Sequence, residues 1–361
     1  MLKHYEPHKG SLRHDEMPQV LFSQLTIEIT MSILYQDLPV VYNTGEILED
    51  KTDWRKLKLK SFAVSKVMSG NENSLLKRSA RMESCGSVLQ FACTQRGEKR
   101  LVRADFCMDR LCPACQKRRS LVVFHQVKDV CLSLQNEYKS TQYLLLTLTI
   151  PNVPIEELKN SMSTMNKAWT KMTKRSEFKK AVWGWFKALE VTCSSRDEKS
   201  SSYHPHFHIL LAVPGNYFKG RNYIKQERWL ELWQESMKMP QITQVDVRKV
   251  KANPKKENST AIESAAAEVG KYATKPSNYI MKFQGDYIAH KLIVNDLAIA
   301  LHRARLTAFG GRMKEHYQKL GLEDAESDSV DLVHVSGDNE LIDAVMVQVF
   351  KWNIGHRRYI G

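Results

Sequence analysis

Tyr203-His204-Pro205-His206-Phe207-His208-Ile209-Leu210-Leu211-Ala212-Val213 is the stretch on which the fold turns. After Pro205 it alternates as a β-strand does, so residues two apart share a face. Phe207, Ile209, Leu211 and Val213 make one face apolar, and His206 and His208 lie together on the other. Two imidazoles on the open face of such a strand are placed to chelate a divalent metal, with ring nitrogens about 2.0–2.2 Å from it. A pair of hydrogen-bonded histidines is the competing reading. Three histidines in five residues, ahead of a strongly apolar run, favour the metal.

Just upstream, Phe186-Lys187-Ala188-Leu189-Glu190-Val191-Thr192 reads as a second strand, joined to the first by the polar tip 194–202. A hairpin of the two would put Glu190 across from the imidazoles as a third ligand, with His204 as its rival. Further out, residues 143–150 form a buried strand stopped by Pro151-Asn152. Helical spacing predicts helices over 121–134, 153–174 and 222–237, and a strand over 244–250. Residues 253–258 form a basic loop, and an alanine-rich helix over 261–275 is closed by Pro276. On that helix Glu268, Tyr272 and Lys275 are neighbours on one face. Towards the C-terminus the pattern predicts a helix over 295–309 broken by Gly310-Gly311, an acidic linker over 323–331 and a small hairpin over 333–359.

The 361-residue chain carries a formal net charge of +14, which points to a polyphosphate partner through attraction and counterion release. An anionic membrane is the competitor, but neither an eighteen-residue apolar run nor a basic amphipathic helix is visible. The opening Met1-Leu2-Lys3-His4-Tyr5-Glu6 lacks a signal-peptide core, so a cytoplasmic location is expected. Seven cysteines in that compartment argue for thiols or metal ligands. Cys107-x4-Cys112-Pro113-Ala114-Cys115 supplies three thiolates of a tetrahedral zinc site. Cys85, followed by the turn-former Gly86, is the favoured fourth ligand and Cys93 its rival. Buried free cysteines with a redox pair are the alternative. Arg103, Arg110, Lys117, Arg118 and Arg119 crowd the cluster as a loop suited to phosphates, and Arg248 and Lys249 add to the cations expected to meet DNA. The charges around Trp54 in 51–60 read as a solvated face. The chain divides into an N-terminal extension (1–50), a basic Cys-rich region (51–135), a catalytic domain (136–285) and a C-terminal region (286–361).

A metal on two histidines and a carboxylate, a helix-borne tyrosine and a basic surface together suggest transesterification on DNA. Phenol has a pKa of about 10; Lys271 and Lys275 would favour phenolate at Tyr272 and draw in the phosphate. Glu268, one turn away, is placed to activate water or a 3′-hydroxyl in a second step.

At this point the sequence resembles a known family. The stretches Cys85-Gly86-Ser87, Phe106-Cys107, Arg110-Leu111-Cys112-Pro113-x-Cys115, Thr147-Leu148-Thr149, Leu189-Glu190-Val191-Thr192, His204-Pro205-His206-Phe207-His208 and Glu268-x2-Lys271-Tyr272-x2-Lys275 follow one another in the family's order. They are similar to those of plasmid rolling-circle replication initiators, the single-tyrosine Rep proteins of the HUH endonuclease superfamily. The resemblance implies an α+β fold with a central antiparallel sheet of about five strands flanked by helices, behind the Cys-rich zinc-binding segment. It also implies nicking of one strand at the plasmid's double-strand origin with Mg2+ or Mn2+. Carried over by position, His206 and His208 become metal ligands, Tyr272 the nucleophile and Glu268 the termination carboxylate. The implied partners are origin DNA, as a hairpin or single-stranded nick site, and a host helicase, since no Walker A motif is visible. Whether the chain works as a homodimer stays open. The serine-rich tip before His204 and the first fifty residues depart from the family pattern. In a conjugative relaxase the tyrosine would precede the histidines; a single-tyrosine transposase keeps this order. A non-catalytic zinc-dependent DNA-binding regulator would explain the charge and cysteines but leave Tyr272 and Glu268 idle.

Overall fold

The computed structural model describes residues 35, 37–68, 73–193, 201–252, 260–272, 279–335 and 343–361, with the backbone alone at 73, 74, 271 and 272. The polar tip at 194–200, the basic loop at 253–258 and Lys275 lie outside the described residues.

The helices are α1 (Trp54–Met68), α2 (Asn73–Ser84), α3 (Pro113–Glu137), α4 (Ile155–Lys174), α5 (Ser176–Ala181), α6 (Gln226–Met237), α7 (Ala261–Tyr272), α8 (Lys291–Ala300) and α9 (Arg312–Lys319). The strands are β1 (Val40–Val41), β2 (Val88–Thr94), β3 (Lys99–Ala104), β4 (Gln142–Thr149), β5 (Val153–Pro154), β6 (Gly184–Cys193), β7 (Ser202–Val213), β8 (Val245–Lys249), β9 (Ile280–Phe283), β10 (Asp286–Ala289), β11 (Thr307–Gly311), β12 (Ala344–Asn353) and β13 (Arg358–Ile360). The result is a mixed α+β fold whose main sheet runs β11-β6-β7-β4-β8, with β5 attached to β7 and every pairing antiparallel.

The histidine strand β7 lies at the centre of this sheet because both its faces are wanted. Phe207, Ile209, Leu211 and Val213 are fully buried, and α4, α5 and α6 cover their side with interlocking aromatic rings. Trp169 meets Trp185 at 5.1 Å, Phe178 meets Trp229 at 5.9 Å, and Trp233 donates its indole N–H to the Thr149 carbonyl at 2.8 Å. Such edge-to-face pairs add specificity to plain burial. On the other face lie α3 and α7: the Tyr143 hydroxyl donates to the Cys131 carbonyl of α3 at 2.9 Å, and α7 packs on α3 and crosses β4, β6 and β7.

Two expectations need correction. The helix expected over 295–309 ends at Ala300, and Thr307–Gly311 is instead the edge strand β11 on β6. The glycine pair does not stop a helix; it admits a close approach. A Cβ on Gly310 would sit 2.1 Å from the Trp185 ring, and Gly311 has φ +56°. The terminal hairpin exists as β12 and β13, but it is no isolated appendage. β12 also pairs with β1 and β2, giving a second sheet β1-β12-β2-β3 with β13 at the side. The β2–β3 ribbon alone would leave Leu89 and Phe91 exposed, and two strands are marginal in water. Phe350 and Tyr359 close that small core together with Trp54. Among the described residues, no helix is long and apolar enough to cross a membrane.

Candidate active site and metal centres

The β6–β7 register sets Glu190 directly opposite His206, while β4 sets Thr149 opposite His206 and Thr147 opposite His208. Glu190 Oε2 consequently lies 3.3 Å from Nε2 of His206 and 3.3 Å from Nε2 of His208. Two ligands about 2.1 Å from one ion and about 100° apart stand about 3.2 Å from each other, so the spacing suits a shared cation. The other ring nitrogens are engaged by the scaffold. His206 Nδ1 pairs with the His204 carbonyl at 3.0 Å, and His208 Nδ1 pairs with the Thr147 hydroxyl at 3.4 Å. Such contacts orient both rings and direct Nε2 inward. Glu190 and His206 are buried, so the carboxylate's charge is little screened by water.

His204 shares this side of the strand, but its Nε2 bonds the Thr149 hydroxyl and it is not among the converging donors. Burial, followed by the neighbouring His206, lowers its pKa. Glu190 is therefore the third member of the donor group. The two threonines of Thr147-Leu148-Thr149 were not singled out from sequence as supports. Their alternation, which puts both on the histidine face, was the available signal.

Helix α7 runs over this same face. Its Glu268 carboxylate lies 3.4 Å from the Arg248 guanidinium on β8. At Gly270 α7 lies against Ser120 and Phe124 of α3. Tyr272 is the last residue of α7; its side chain and that of Lys271 lie outside the described residues. Tyr279, the next tyrosine along, is buried, donates to the Leu111 carbonyl at 3.1 Å and has its pKa raised by burial. That ring braces the cysteine loop.

The second donor group is Cys85, Cys107, Cys112 and Cys115, all buried. Cys85–Cys115, Cys107–Cys115 and Cys85–Cys112 are each 3.6 Å apart between sulfurs. Four thiolates about 2.3 Å from a tetrahedral ion would be about 3.7–3.8 Å apart, so the donor set fits one. Gly86, at φ +59°, makes the turn that brings Cys85 in, and Pro113 opens α3. Cys93 points elsewhere, towards Gln348 at 3.9 Å. The structure brings Cys85 and not Cys93 to the cluster. Lys58, which sequence placed on a solvated face, is buried beneath it. Its ammonium donates to the carbonyls of Glu83 at 2.7 Å and Cys85 at 2.8 Å and to the Ser87 hydroxyl at 2.8 Å.

The cations around the cluster divide in two. Arg103 and Lys117 are exposed. Arg118 and Arg119 are buried and face inward, which corrects the expectation that the whole group is offered to phosphates. Arg118 donates to the carbonyls of Leu332 and Val333, both at 2.7 Å, and Arg119 to that of Ala325 at 2.7 Å. Arg110 donates to the Ala304 carbonyl and lies 3.5 Å from Glu326. These arginines tie the acidic segment to α3, because its carbonyls need donors once buried. Arg248 and Lys249 are both exposed on β8.

Comparison with known proteins identifies the family. A family profile described as replication protein matches residues 98–360. Proteins called Protein rep are similar over most of their length. The one from Streptococcus pneumoniae serotype 2 is 33% identical over 327 residues, covering 88% of this chain and 96% of that protein. The one from Bacillus amyloliquefaciens is 34% identical over 343 residues, covering 88% and 98%. The chain belongs to this replication-protein family, the plasmid replication initiators that its motifs resemble. No solved structure gives a significant match.

Proposed function

We propose that this initiator acts by rolling-circle chemistry of the HUH type. In that reading it is a site-specific single-strand endonuclease and strand transferase at the plasmid's double-strand origin. The observation that carries the reading is the Glu190, His206 and His208 donor group on the sheet face that α7 crosses. A carboxylate and two oriented imidazoles can hold a divalent ion, in this reading the Mg2+ or Mn2+ that the family resemblance implies, and four thiolates fit a structural Zn2+. The divalent ion, when bound, supplies Lewis-acid polarisation of the scissile phosphoryl group.

The remaining roles belong to the chain. Thr147 and the His204 carbonyl hold the imidazoles in register. Tyr272 attacks the phosphorus in line, forming a 5′-phosphotyrosine and expelling the 3′-oxygen, which takes up a proton to become the 3′-hydroxyl primer. Lys271 and Lys275 favour the phenolate. Glu268, one helical turn from Tyr272, accepts a proton from water or a 3′-hydroxyl in the closing step. Because the phosphodiester bond energy is retained in the tyrosine ester, rejoining needs no nucleotide. A separate helicase unwinds the duplex.

Incubation with supercoiled plasmid and Mg2+ tests the reading. The expected products are relaxed circles bearing covalent protein, with the nucleotide found by mass spectrometry on the Tyr272 peptide. Tyr272→Phe should abolish the adduct and leave duplex binding within about twofold, and Glu268→Ala should nick yet fail to release single-stranded circles. An adduct that persists in Tyr272→Phe would refute the assignment.

A further inference from the structure

At the end of the sheet, beyond β7, the turn around 214–225 carries two exposed aromatic rings that no step above uses. Phe218 and Tyr223 are each 43% exposed, and they form a contiguous aromatic patch rather than lone surface residues. Their ring centroids are 5.7 Å apart, and both rest against Tyr217, at 5.2 and 5.3 Å. Tyr217 is itself buried, and its hydroxyl both donates to the Ile224 carbonyl at 3.2 Å and accepts from the Ile224 N–H at 3.3 Å. The base of the turn is pinned as well. The Gln142 amide donates to the Gly215 carbonyl at 2.6 Å, and a Cβ on Gly215 would sit 2.6 Å from the Ser140 carbonyl. The two rings are therefore held out on a rigid base, and little side-chain freedom is left to lose on contact.

Cations surround them. Lys219 and Arg221 are exposed within the turn, and the Lys249 ammonium stands 5.6 Å from the Phe218 ring centroid. Aromatic faces interleaved with Lys and Arg are the combination that holds unpaired nucleic acid: bases stack on rings while phosphates meet cations. Duplex DNA buries its base faces and offers such rings nothing to stack on. Lys249 pairs with Leu144, which pairs with Leu211, three residues along from His208. By that register Lys249 lies on the apolar side of the sheet, about 10 Å along the strands from His208, so a strand leaving the histidine face reaches it by crossing the edge strand β8.

We propose that Phe218 and Tyr223, with Lys219, Arg221 and Lys249, form a stacking platform for the unpaired DNA strand running from the cleavage site over the exposed β8 edge. The inference rests on the nickase reading for its strand, but it concerns binding and is tested by binding. Affinity of the full chain for a fluorescein-labelled twelve-nucleotide oligo(dT) is measured by anisotropy, beside a duplex of equal length. Phe218→Ala and Tyr223→Ala should each weaken oligo(dT) binding on the order of tenfold, with duplex binding changed less than about twofold. Phe218→Trp should preserve it, which a role in mere packing would not require. Unchanged oligo(dT) affinity in the double alanine variant, with an unchanged melting temperature, overturns the platform. So does equal loss on both probes. Binding to phosphatidylserine vesicles that falls in the variants while oligo(dT) affinity holds would assign the rings to a lipid surface and overturn it too. Absence of nicking alongside the expected binding losses would count against the proposed function and leave the platform standing.

Discussion

Replacing Arg118 by Met separates a buried brace from a DNA contact. Arg118 is 2% exposed and donates to two main-chain carbonyls at 2.7 Å, while its neighbour Lys117 is exposed. Methionine keeps most of the side-chain volume but leaves the Leu332 and Val333 carbonyls without these donors. Each charge-assisted bond contributes about 1.5–3 kcal/mol net. Allowing for partial relaxation, the loss is about 3–5 kcal/mol, at the upper end for a single substitution. Urea unfolding followed by tryptophan fluorescence should show a clear fall in midpoint, since Trp54 lies 6.0 Å from the Arg118 guanidinium. DNA affinity of the folded variant should stay within about twofold. Lys117→Met should do the opposite, with stability within about 0.5 kcal/mol of the parent and the salt dependence of DNA binding reduced by about one unit of slope. An Arg118→Met protein that unfolds like the parent but loses DNA affinity would refute the reasoning.

Three further outcomes follow from the two donor groups and one buried amine. Glu190→Gln should lower Mn2+ affinity by calorimetry at least about tenfold, and Thr147→Val by about tenfold through loss of ring orientation; equal affinity in both would remove the triad. Cys85→Ser should release one tightly bound zinc per chain by mass spectrometry, whereas Cys93→Ser should retain it. Lys187 is buried against the Phe207 ring at 4.2 Å, and burial lowers its pKa to about 8 from 10.5. Between those values the unfolded chain binds the proton that the folded one releases, so this group's contribution to stability rises with pH across about 8 to 10.5. Below pH 8 the folded state carries the full penalty, about 3 kcal/mol at most. Lys187→Met should raise stability at pH 7 by about 1–3 kcal/mol and flatten that rise, whereas an unchanged pH profile would show that the amine is solvated.

The histidine strand, its neighbour bearing Glu190 and the helix ending at Tyr272 were legible because each announces itself locally. Alternation and charge are short-range signals, and a strand with one apolar face admits a single orientation; Pro205 did not mark its start, since β7 runs through it from Ser202. Cysteine spacing likewise revealed three thiolates, since a metal knuckle is made by consecutive residues. The fourth was a choice between Cys85 and Cys93, residues of the same type close in the chain. Only the turn at Gly86 and the pairing of β2 with β12, which carries Cys93 towards Gln348, decided it.

What sequence alone determined is which side chains are available to hold metals and the sign of the net charge. What tertiary structure decided is which charges remain available. Arg118 and Arg119 are indistinguishable from Lys117 in the chain, yet two of the three are drawn inward by carbonyls more than two hundred residues away. The same holds for Gly310 and Gly311, which read as a helix stop until Trp185 of another strand lies against them. Non-local burial assigns these roles, because a buried carbonyl must find a donor wherever the fold supplies one, and no periodicity in the sequence records where that will be.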